Sequence, residues 1–288
     1  MNLRSIVALT IALVCGRSVV SGQWLHLPTP DVPRTADGTP NLSARPPRLA
    51  DGKPDFSGIW QPGRKIQCTP EFSKFVECGL EIGGSPLALN IGADLPGGLP
   101  FQPWAAALVK QRTAENSKDD PHARCLPPGG PRQFQTPNGF EFIEQPDRKR
   151  ITIIFGGGPR SWRFIYLDGR PLPSLDDLDL IPTYFGYSTG KWVGDTLVVE
   201  STGYNEKFWF HRGGLPHTDA LRLTERFSRP DFDTLKYEVT VDDAKAYTRP
   251  WTGGFTVPWT YTNWDGSPGG ELHEYLCQDN ERDYTKLR

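Results

Sequence analysis

Short segments of alternating apolar and polar residues, separated by turn residues, dominate the chain from residue 140 onward and constrain its fold most strongly. Strands joined by short turns indicate an antiparallel meander, and closing it into a barrel or a sandwich leaves few unpaired edges. We therefore predict a mainly β fold, an antiparallel barrel or sandwich, with no internal repeat of fixed period. The predicted strands are residues 56–61, 140–145, 150–155, 162–167, 191–193, 196–202, 221–228, 234–241, 251–264 and 271–277.

The chain before residue 140 has a different pattern. Residues 23–55 are rich in proline, which fixes φ and removes backbone donors, so we predict an extended leader that lies along a surface or hangs free. One helix is predicted at about residues 103–117, because Pro103 stands in its first turn and apolar side chains follow at helical spacing. Residues 56–288 are predicted to form a single β-domain.

The N-terminus has the pattern of an export signal. Arg4 precedes a nearly unbroken apolar run at residues 5–14, and small residues end at Gly22. This order is typical of a signal peptide, here predicted to be residues 1–22, and the apolar run is shorter than the roughly 20 residues of a membrane span. Cys15 leaves lipid attachment open as an alternative. We expect a secreted or periplasmic protein without a transmembrane segment.

Export bears on the cysteines that follow the signal peptide. In an oxidising compartment an even number of cysteines favours disulfides. We favour Cys68–Cys78, which closes a short loop, and Cys125–Cys277, which joins the end of the chain to the connector before the main strands. Two other connectivities remain open. A thiolate metal site is less favoured, because the sequence has no Cys-x-x-Cys spacing.

Charge and composition narrow the class of partner. The chain has 32 basic and 34 acidic side chains and no run of lysine and arginine, which argues against nucleic acid. Nine tryptophans, nine tyrosines and fifteen phenylalanines suffice for a core and an apolar pocket. The expected partner is a small-molecule ligand or substrate, and the sequence leaves the oligomeric state open.

Candidate catalytic groups are concentrated before and within the predicted strand 221–228. If strand alternation extends back to residue 217, His217, Asp219 and Glu225 share the inward face. Buried carboxylates beside an imidazole acquire shifted pKa values of the kind used by general acids and bases. We predict an enzyme with His217 as acid or base, Asp219 orienting it, and Glu225 or Tyr166 as a second polar group. The chemistry would be a lyase, isomerase or hydrolase step without a cofactor or metal.

Structural roles compete with these catalytic ones. His217 and Asp219 would be solvated if they lie at a strand end, and Glu225 would pair with an arginine such as Arg163 on a neighbouring strand. A non-catalytic barrel that binds a small hydrophobic molecule or a glycan, with Trp162 among its contacts, is the first alternative function. The second is a metal-dependent enzyme with His211, His217 and Asp219 as ligands. The residues predicted to contact an apolar ligand are Trp192, Trp209, Phe210, His211 and Arg163.

Six segments resemble a family of secreted bacterial proteins of unassigned function. They are Pro54-Asp-Phe-Ser-Gly-Ile-Trp60, Cys125-Leu-Pro-Pro-Gly-Gly-Pro-Arg132, Tyr166-Leu-Asp-Gly-Arg-Pro-Leu-Pro173, Gly186-Tyr-Ser-Thr-Gly-Lys-Trp-Val-Gly-Asp-Thr-Leu-Val-Val199, Pro216-His-Thr-Asp219 and Glu225-Arg226. The resemblance covers most of the mature chain and implies export and a β-rich fold, and it supplies no activity. At the level of fold alone, the meander resembles lipocalin-like barrels, which bind apolar molecules or act on them.

Overall fold

The computed structural model describes residues 32–62, 91–92, 95–136, 138–158, 161–177, 180–260, 272 and 277. Within these ranges nine strands close into a barrel, which confirms the predicted mainly β fold. The strands are β1 (Ile59–Trp60), β2 (Phe140–Gln145), β3 (Arg150–Phe155), β4 (Trp162–Tyr166), β5 (Tyr187–Val193), β6 (Thr196–Thr202), β7 (Arg222–Ser228), β8 (Thr234–Asp242) and β9 (Trp251–Thr260). One α-helix, α1 (Pro103–Ala114), and the 3₁₀ segments Pro121–Arg124, Gly130–Gln135 and Pro146–Arg148 complete the described elements.

The strands follow one another around the barrel in chain order, and β1 closes it by pairing with β2 and β9. Neighbouring strands cannot all be antiparallel in a closed ring with an odd number of strands, so at least one pair must be parallel. That pair is β4–β5, whose register contains only Ile165 with Ser188 and Tyr166 with Thr189. All other pairs are antiparallel. The predicted antiparallel meander is therefore interrupted at one step.

The parallel pair determines how the chain runs between β4 and β5. Two parallel strands cannot be joined by a tight turn and need a long crossover connection, here residues 167–186. Near its end, Thr183 donates its backbone N–H to Gly203 O (3.0 Å) and accepts one from Asn205 (2.8 Å), which fixes the crossover beside β6. The end of the crossover, residues 183–186, lies beside Trp162, Phe164 and Tyr166 of β4.

Aromatic side chains fill the barrel interior. The 3₁₀ segment Gly130–Gln135 is buried along its whole length and inserts Phe134 between the strands. The ring centroid of Phe134 lies 5.0 Å from those of Phe140 and Tyr237 and 5.2 Å from that of Phe155. This part of the interior is a packed core.

Two consecutive glycines make this insertion possible. A Cβ at Gly129 would lie 2.5 Å from the ring of Phe208, and one at Gly130 would lie 2.9 Å from it. Both glycines also have positive φ (68° and 44°), a backbone region that residues with a Cβ rarely adopt. Close packing against Phe208 therefore accounts for the Gly-Gly pair that precedes Arg132.

The leader contains a short repeat that the hydrophobic pattern of the sequence did not predict. Residues 33–40 and 47–54 share the pattern Pro-Arg-x-Ala-Asp-Gly-x-Pro, and both fold into the same turn. In each copy the arginine donates to the carbonyl oxygen of the glycine, Arg34 to Gly38 (2.8 Å) and Arg48 to Gly52 (2.6 Å). The expectation of no fixed-period repeat is wrong here, because two short polar copies leave no trace in the hydrophobic pattern.

The second leader turn is attached to one end of the barrel. Arg48 forms a two-point ion pair with Asp195 in the β5–β6 turn (2.9 and 2.6 Å), and Phe232 donates its backbone N–H to Ala44 O (2.8 Å). Phe56 is buried and packs on the ring of Phe142 at 5.4 Å. Of the two placements predicted for the leader, residues 32–55 adopt the one along a surface.

The remaining sequence predictions have mixed outcomes. Helix α1 ends at Ala114. Ala105 is buried, and Leu108 and Val109 are partly buried on the same face, with Val109 packed against the core. Trp104 and Gln111 are exposed, so the predicted apolar stripe of Trp104, Ala105, Leu108, Val109 and Gln111 is confirmed only in part. The Cys125–Cys277 disulfide is confirmed. Residues 1–22, Cys68 and Cys78 lie outside the described residues. No helix in the described ranges is long and apolar enough to cross a membrane.

Candidate functional site

His217 lies in the loop before β7 and is buried among aromatic rings. Its ring centroid is 4.0 Å from that of Phe208 and 5.1 Å from that of Phe210. Nε2 lies 3.1 Å from Phe208 O and Nδ1 lies 3.4 Å from Thr218 O, so both nitrogens face main-chain carbonyl oxygens. Burial lowers the pKa of His217 to about 4, against weaker opposing effects of the nearby carbonyls and Asp243. The imidazole is a neutral, packed side chain at pH 7.

Asp219 does not orient His217. It is exposed and forms an ion pair with Lys245 (2.7 Å). The strand begins only at Arg222, so strand alternation does not extend back to residues 217–219. Thr218, between the two predicted catalytic residues, anchors the loop by donating its N–H and hydroxyl to Asp243 (2.6 and 2.8 Å). The predicted His217–Asp219 pair is therefore wrong.

The buried His217 has a consequence for acid stability. Its pKa is about 4 in the folded protein against 6.5 for the free side chain, so the stabilisation is complete above pH 6.5 and is lost as the pH falls toward 4. We expect this difference in the pKa of His217 to lower the free energy of unfolding by about 2 kcal/mol when the pH is lowered from 7 to 5. Urea unfolding at both pH values measures the loss, and His217→Gln, which does not titrate, should show a smaller one. Equal losses in the two proteins would contradict the assignment.

The other aromatic and imidazole groups of this loop are also structural. Phe210 is fully buried, and Trp209 is buried beneath the guanidinium of Arg112, 4.2 Å from the ring centroid. His211 accepts a hydrogen bond from the backbone N–H of Gly213 at Nδ1 (2.6 Å). Burial, with a contribution from the charge of a nearby arginine, lowers the pKa of His211 to about 3. The predicted ligand contacts Trp209, Phe210 and His211 instead pack inside the protein.

These side chains do not assemble a metal site. Among the described residues, no group of three or more histidine, cysteine, aspartate and glutamate side chains is placed to hold a metal ion. His211 and His217 are both engaged with the main chain, and Asp219 is paired with Lys245. The alternative in which these three residues bind one metal is therefore contradicted.

Glu225 lies on β7 and points into the barrel, where it pairs with Arg163 of β4. Both residues are buried, and the guanidinium contacts both carboxylate oxygens: Nη1 donates to Oε1 (2.9 Å) and Nη2 to Oε2. Arg163 also donates from Nε to Ser188 Oγ (3.0 Å) and from Nη2 to Ser201 Oγ (3.1 Å). The pairing of Glu225 with Arg163, anticipated as the structural alternative, is confirmed.

Two tyrosines extend this buried network. Tyr237 donates its hydroxyl proton to Glu225 Oε1 (2.9 Å), and Tyr204 donates to Ser201 Oγ (2.9 Å). Burial raises the pKa of both tyrosines, and the charge of Glu225 adds to the effect, so both remain protonated donors. Burial opposes the charged form of Arg163, but the charge and hydrogen bonds of Glu225 outweigh it and raise the pKa. Glu225 is thus the acceptor of a paired network, which leaves it poorly suited to act as a base.

An open cleft lies on the outer side of the barrel where β4 and β5 separate from their short parallel pairing. We call it the seam cleft. It has two lobes of about 360 Å³ each, which share Tyr166, Tyr187 and Ser188. Trp162, Phe164, Tyr184 and Phe185 line one lobe, and Arg170, Leu172, Asp177 and Leu180 line the other.

Aromatic faces are accessible in the seam cleft. Trp162 is 51% exposed and Tyr187 is 37% exposed, both high fractions for such large rings. Tyr166 is partly buried beneath Arg170, whose guanidinium carbon lies 3.8 Å from the ring centroid. Arg163 and Ser188 also line the first lobe, so the buried network forms part of its floor.

Comparison of the chain with protein-family models, with curated proteins and with solved structures finds no match. A function is therefore inferred from the geometry of the chain's own residues. Of the residues predicted from sequence, Trp162, Arg163 and Tyr166 border the seam cleft, and Glu225 lies behind Arg163. Trp192 lies elsewhere, at the barrel end covered by the leader, with its ring 5.3 Å from that of Phe56.

Sequence reasoning missed the crossover side of the cleft. Residues 184–187 read Tyr-Phe-Gly-Tyr, and all four line the first lobe. The density of aromatic residues beside a predicted strand was a usable signal. Its meaning depended on the crossover, because only that path brings these rings into the same cleft as Trp162.

Proposed function

We propose that the protein is an exported, non-catalytic barrel that binds a small molecule with a flat apolar face, such as an aromatic compound or a glycan unit, in the seam cleft. The observation that carries the proposal is the open cleft with exposed aromatic rings at the β4–β5 seam. Clefts of roughly 300–1,000 Å³ with apolar walls and a few polar groups are typical small-molecule sites.

The chemistry of the cleft walls supports this class of ligand. Trp162 and Tyr187 offer large ring faces for stacking, and ring-to-ring contacts add to the gain from apolar burial. Asp177, Arg170 and the hydroxyl of Thr189 lie at the second lobe, where they would orient polar edges of a ligand. Exposed aromatic rings that lie together in one cleft indicate a binding site more strongly than the same rings scattered singly over the surface.

The positions of three of the four predicted catalytic residues favour a binder over an enzyme, whereas the fourth, Tyr166, lines the seam cleft with its ring beneath Arg170. His217 faces carbonyl oxygens, Asp219 pairs with Lys245, and Glu225 pairs with Arg163. Each is occupied away from the open part of the cleft. The exported enzyme remains a prediction whose signature would be consumption of the bound ligand.

Export is supported by the disulfide between Cys125 and Cys277. Such bonds persist in secreted and periplasmic proteins and are rare where thiols are kept reduced. A cleft open to the surroundings of the cell suits a protein that captures small molecules there. Detection of the protein in the culture medium or periplasm, with Gln23 as its N-terminus, would test this part of the proposal.

The binding proposal is tested at Trp162. Co-purified small molecules are first identified by mass spectrometry, and aromatic acids and oligosaccharides are titrated against the protein's intrinsic fluorescence. Trp162→Ala removes the most exposed stacking face, so we expect a loss of about 1–2 kcal/mol in binding, or roughly five- to thirtyfold in Kd.

Trp104→Ala is the matched control. Trp104 is 45% exposed on α1 and does not line the seam cleft. The Trp104→Ala variant should bind the ligand with the affinity of the unmodified protein. Equal affinity of Trp162→Ala and Trp104→Ala would rule out the seam cleft as the site, and turnover of the ligand would favour the enzyme.

A further inference from the structure

A second groove lies at the barrel end that the leader covers. We call it the leader groove. It is formed where residues 45–48 of the leader pass the β5–β6 and β7–β8 turns, and its volume is about 550 Å³. The residues on which its chemistry depends are Arg45, Arg48, Asp195, Thr196, Ser228 and Arg229.

The charge of the leader groove is positive in a chain whose formal net charge is −2. Three of its side chains are arginines, and its one carboxylate, Asp195, already has both oxygens bound by Arg48 (2.9 and 2.6 Å). That ion pair leaves the charges of Arg45 and Arg229 in excess. An anion entering the groove would therefore meet a net positive lining.

Arg229 is the unusual member of this set. It is only 4% exposed, and its guanidinium donates to backbone carbonyl oxygens, twice to Phe232 (3.1 and 2.6 Å) and once to Asp55 (2.6 Å). Within the described part of the chain it has no ion pair with a carboxylate. The carboxylates of Asp55, Asp231 and Asp233 act on it only through space. The guanidinium also lies over the rings of Trp60 and Phe232, 4.8 and 5.0 Å from their centroids. Buried charges are ordinarily paired, so an anion bound in the groove would supply the direct counter-charge that Arg229 lacks.

Two hydroxyl side chains add hydrogen-bonding capacity to the same groove. Thr196 begins β6 and Ser228 ends β7, and the two are direct partners in the β6–β7 register. Both line the groove with the arginines. The oxygens of phosphate and sulfate groups accept several charge-assisted hydrogen bonds. Arginine guanidinium groups and nearby hydroxyl groups can donate these hydrogen bonds.

We propose that the leader groove binds the phosphate or sulfate group of a small organic ester. The arginines hold the oxyanion, and the remaining volume takes the organic part, since a groove of this size belongs to the range of small-molecule sites. The site is separate from the seam cleft, and its occupancy does not depend on the function proposed there.

Isothermal titration calorimetry on the full mature chain tests the proposal. The probes are inorganic phosphate, inorganic sulfate, glucose 6-phosphate, glucose 6-sulfate and uncharged glucose. Both esters should bind more tightly than the inorganic ions, glucose should not bind, and affinity should fall as sodium chloride is raised. Absence of ester binding overturns the proposal, and inorganic ions binding as tightly as the esters overturns the part that assigns an organic group.

Substitution of Arg45 tests whether the esters bind in the leader groove. Arg45 lines the groove, is exposed and forms no ion pair in the described part of the chain, so its replacement disturbs little else. Arg45→Gln should raise the Kd of the esters about two- to fivefold, as expected for one exposed charge. Arg45→Glu should raise it further, to about tenfold, since it adds repulsion. Arg34→Gln, an exposed arginine of the first leader turn, is the matched control and should leave the Kd unchanged. Equal effects at Arg34 and Arg45 would overturn the location in the groove.

Discussion

Replacing Glu225 with glutamine is expected to lower the free energy of unfolding by about 3–5 kcal/mol, because it removes one partner of a buried ion pair. The carboxylate is fully buried and accepts hydrogen bonds from Arg163, Tyr237 and Ser201. The amide would leave the guanidinium of Arg163 without a counter-charge inside the barrel. It would also place an N–H₂ group where two donors already point. Chemical denaturation at pH 7 measures the change.

The neighbouring strand provides a control for Glu225→Gln. Glu200 lies on β6 with its side chain exposed, so Glu200→Gln makes the same chemical change on the outer wall. Its expected effect is within about 0.5 kcal/mol. A double variant, Arg163→Met with Glu225→Leu, removes both charges and should be more stable than Glu225→Gln alone. If Glu225→Gln is no more destabilising than Glu200→Gln, the ion pair does not stabilise the barrel as proposed.

Removing the Cys125–Cys277 disulfide is expected to cost about 4–5 kcal/mol of unfolding free energy. The two cysteines are separated by 152 residues, and a bond across so long a loop removes much of the conformational entropy of the unfolded chain. The bond is not needed to close the barrel, because β1 pairs with β9. We therefore expect the variant with both cysteines replaced by serine to fold, with a lower denaturation midpoint.

Reductant supplies the internal control for this prediction. The unmodified protein and the double serine variant should differ in oxidising buffer, and the difference should disappear when both are fully reduced. Any contribution of other cysteines affects the two proteins equally. Equal stability in oxidising buffer would show that the bond contributes little, as happens when the unfolded chain retains structure.

The seam cleft follows from the number of strands. Nine strands in a closed ring require a parallel pair, and a parallel pair requires a long connection on the outside of the sheet. The pairing of β4 with β5 covers only two residues of each strand, so the strands separate beyond it. The separated strands and the crossover then enclose the aromatic groups of residues 162–166 and 184–187.

The strands themselves were predictable from the sequence. The predicted bounds of β2, β3 and β6 agree with the structure residue for residue, and those of β7 and β8 differ by one residue at one end. Alternation is a local property, since successive side chains of a strand point to opposite faces whatever the strand pairs with. The same reasoning correctly turned Glu225 inward with the apolar face of β7.

The site residues were predictable only in part. The error at His217 and Asp219 came from extending strand alternation into a loop that Thr218 and Asp243 hold in another conformation. The roles of Arg163 and Glu225 depend on contact between strands far apart in the chain. No local pattern specifies which of several arginines a buried glutamate will meet.

The sequence by itself thus determined the β class, the helix near residue 103 and most strand bounds, and it favoured a cysteine pair that the structure contains. These follow from periodicity, turn chemistry and redox environment, which act over a few residues or on the whole chain. Only the tertiary structure decided that one pair of strands is parallel, that Glu225 is an ion-pair partner, and that the open aromatic surface lies at Trp162 and Tyr187. These depend on ring closure and long-range contacts, which bring together residues that the sequence keeps apart.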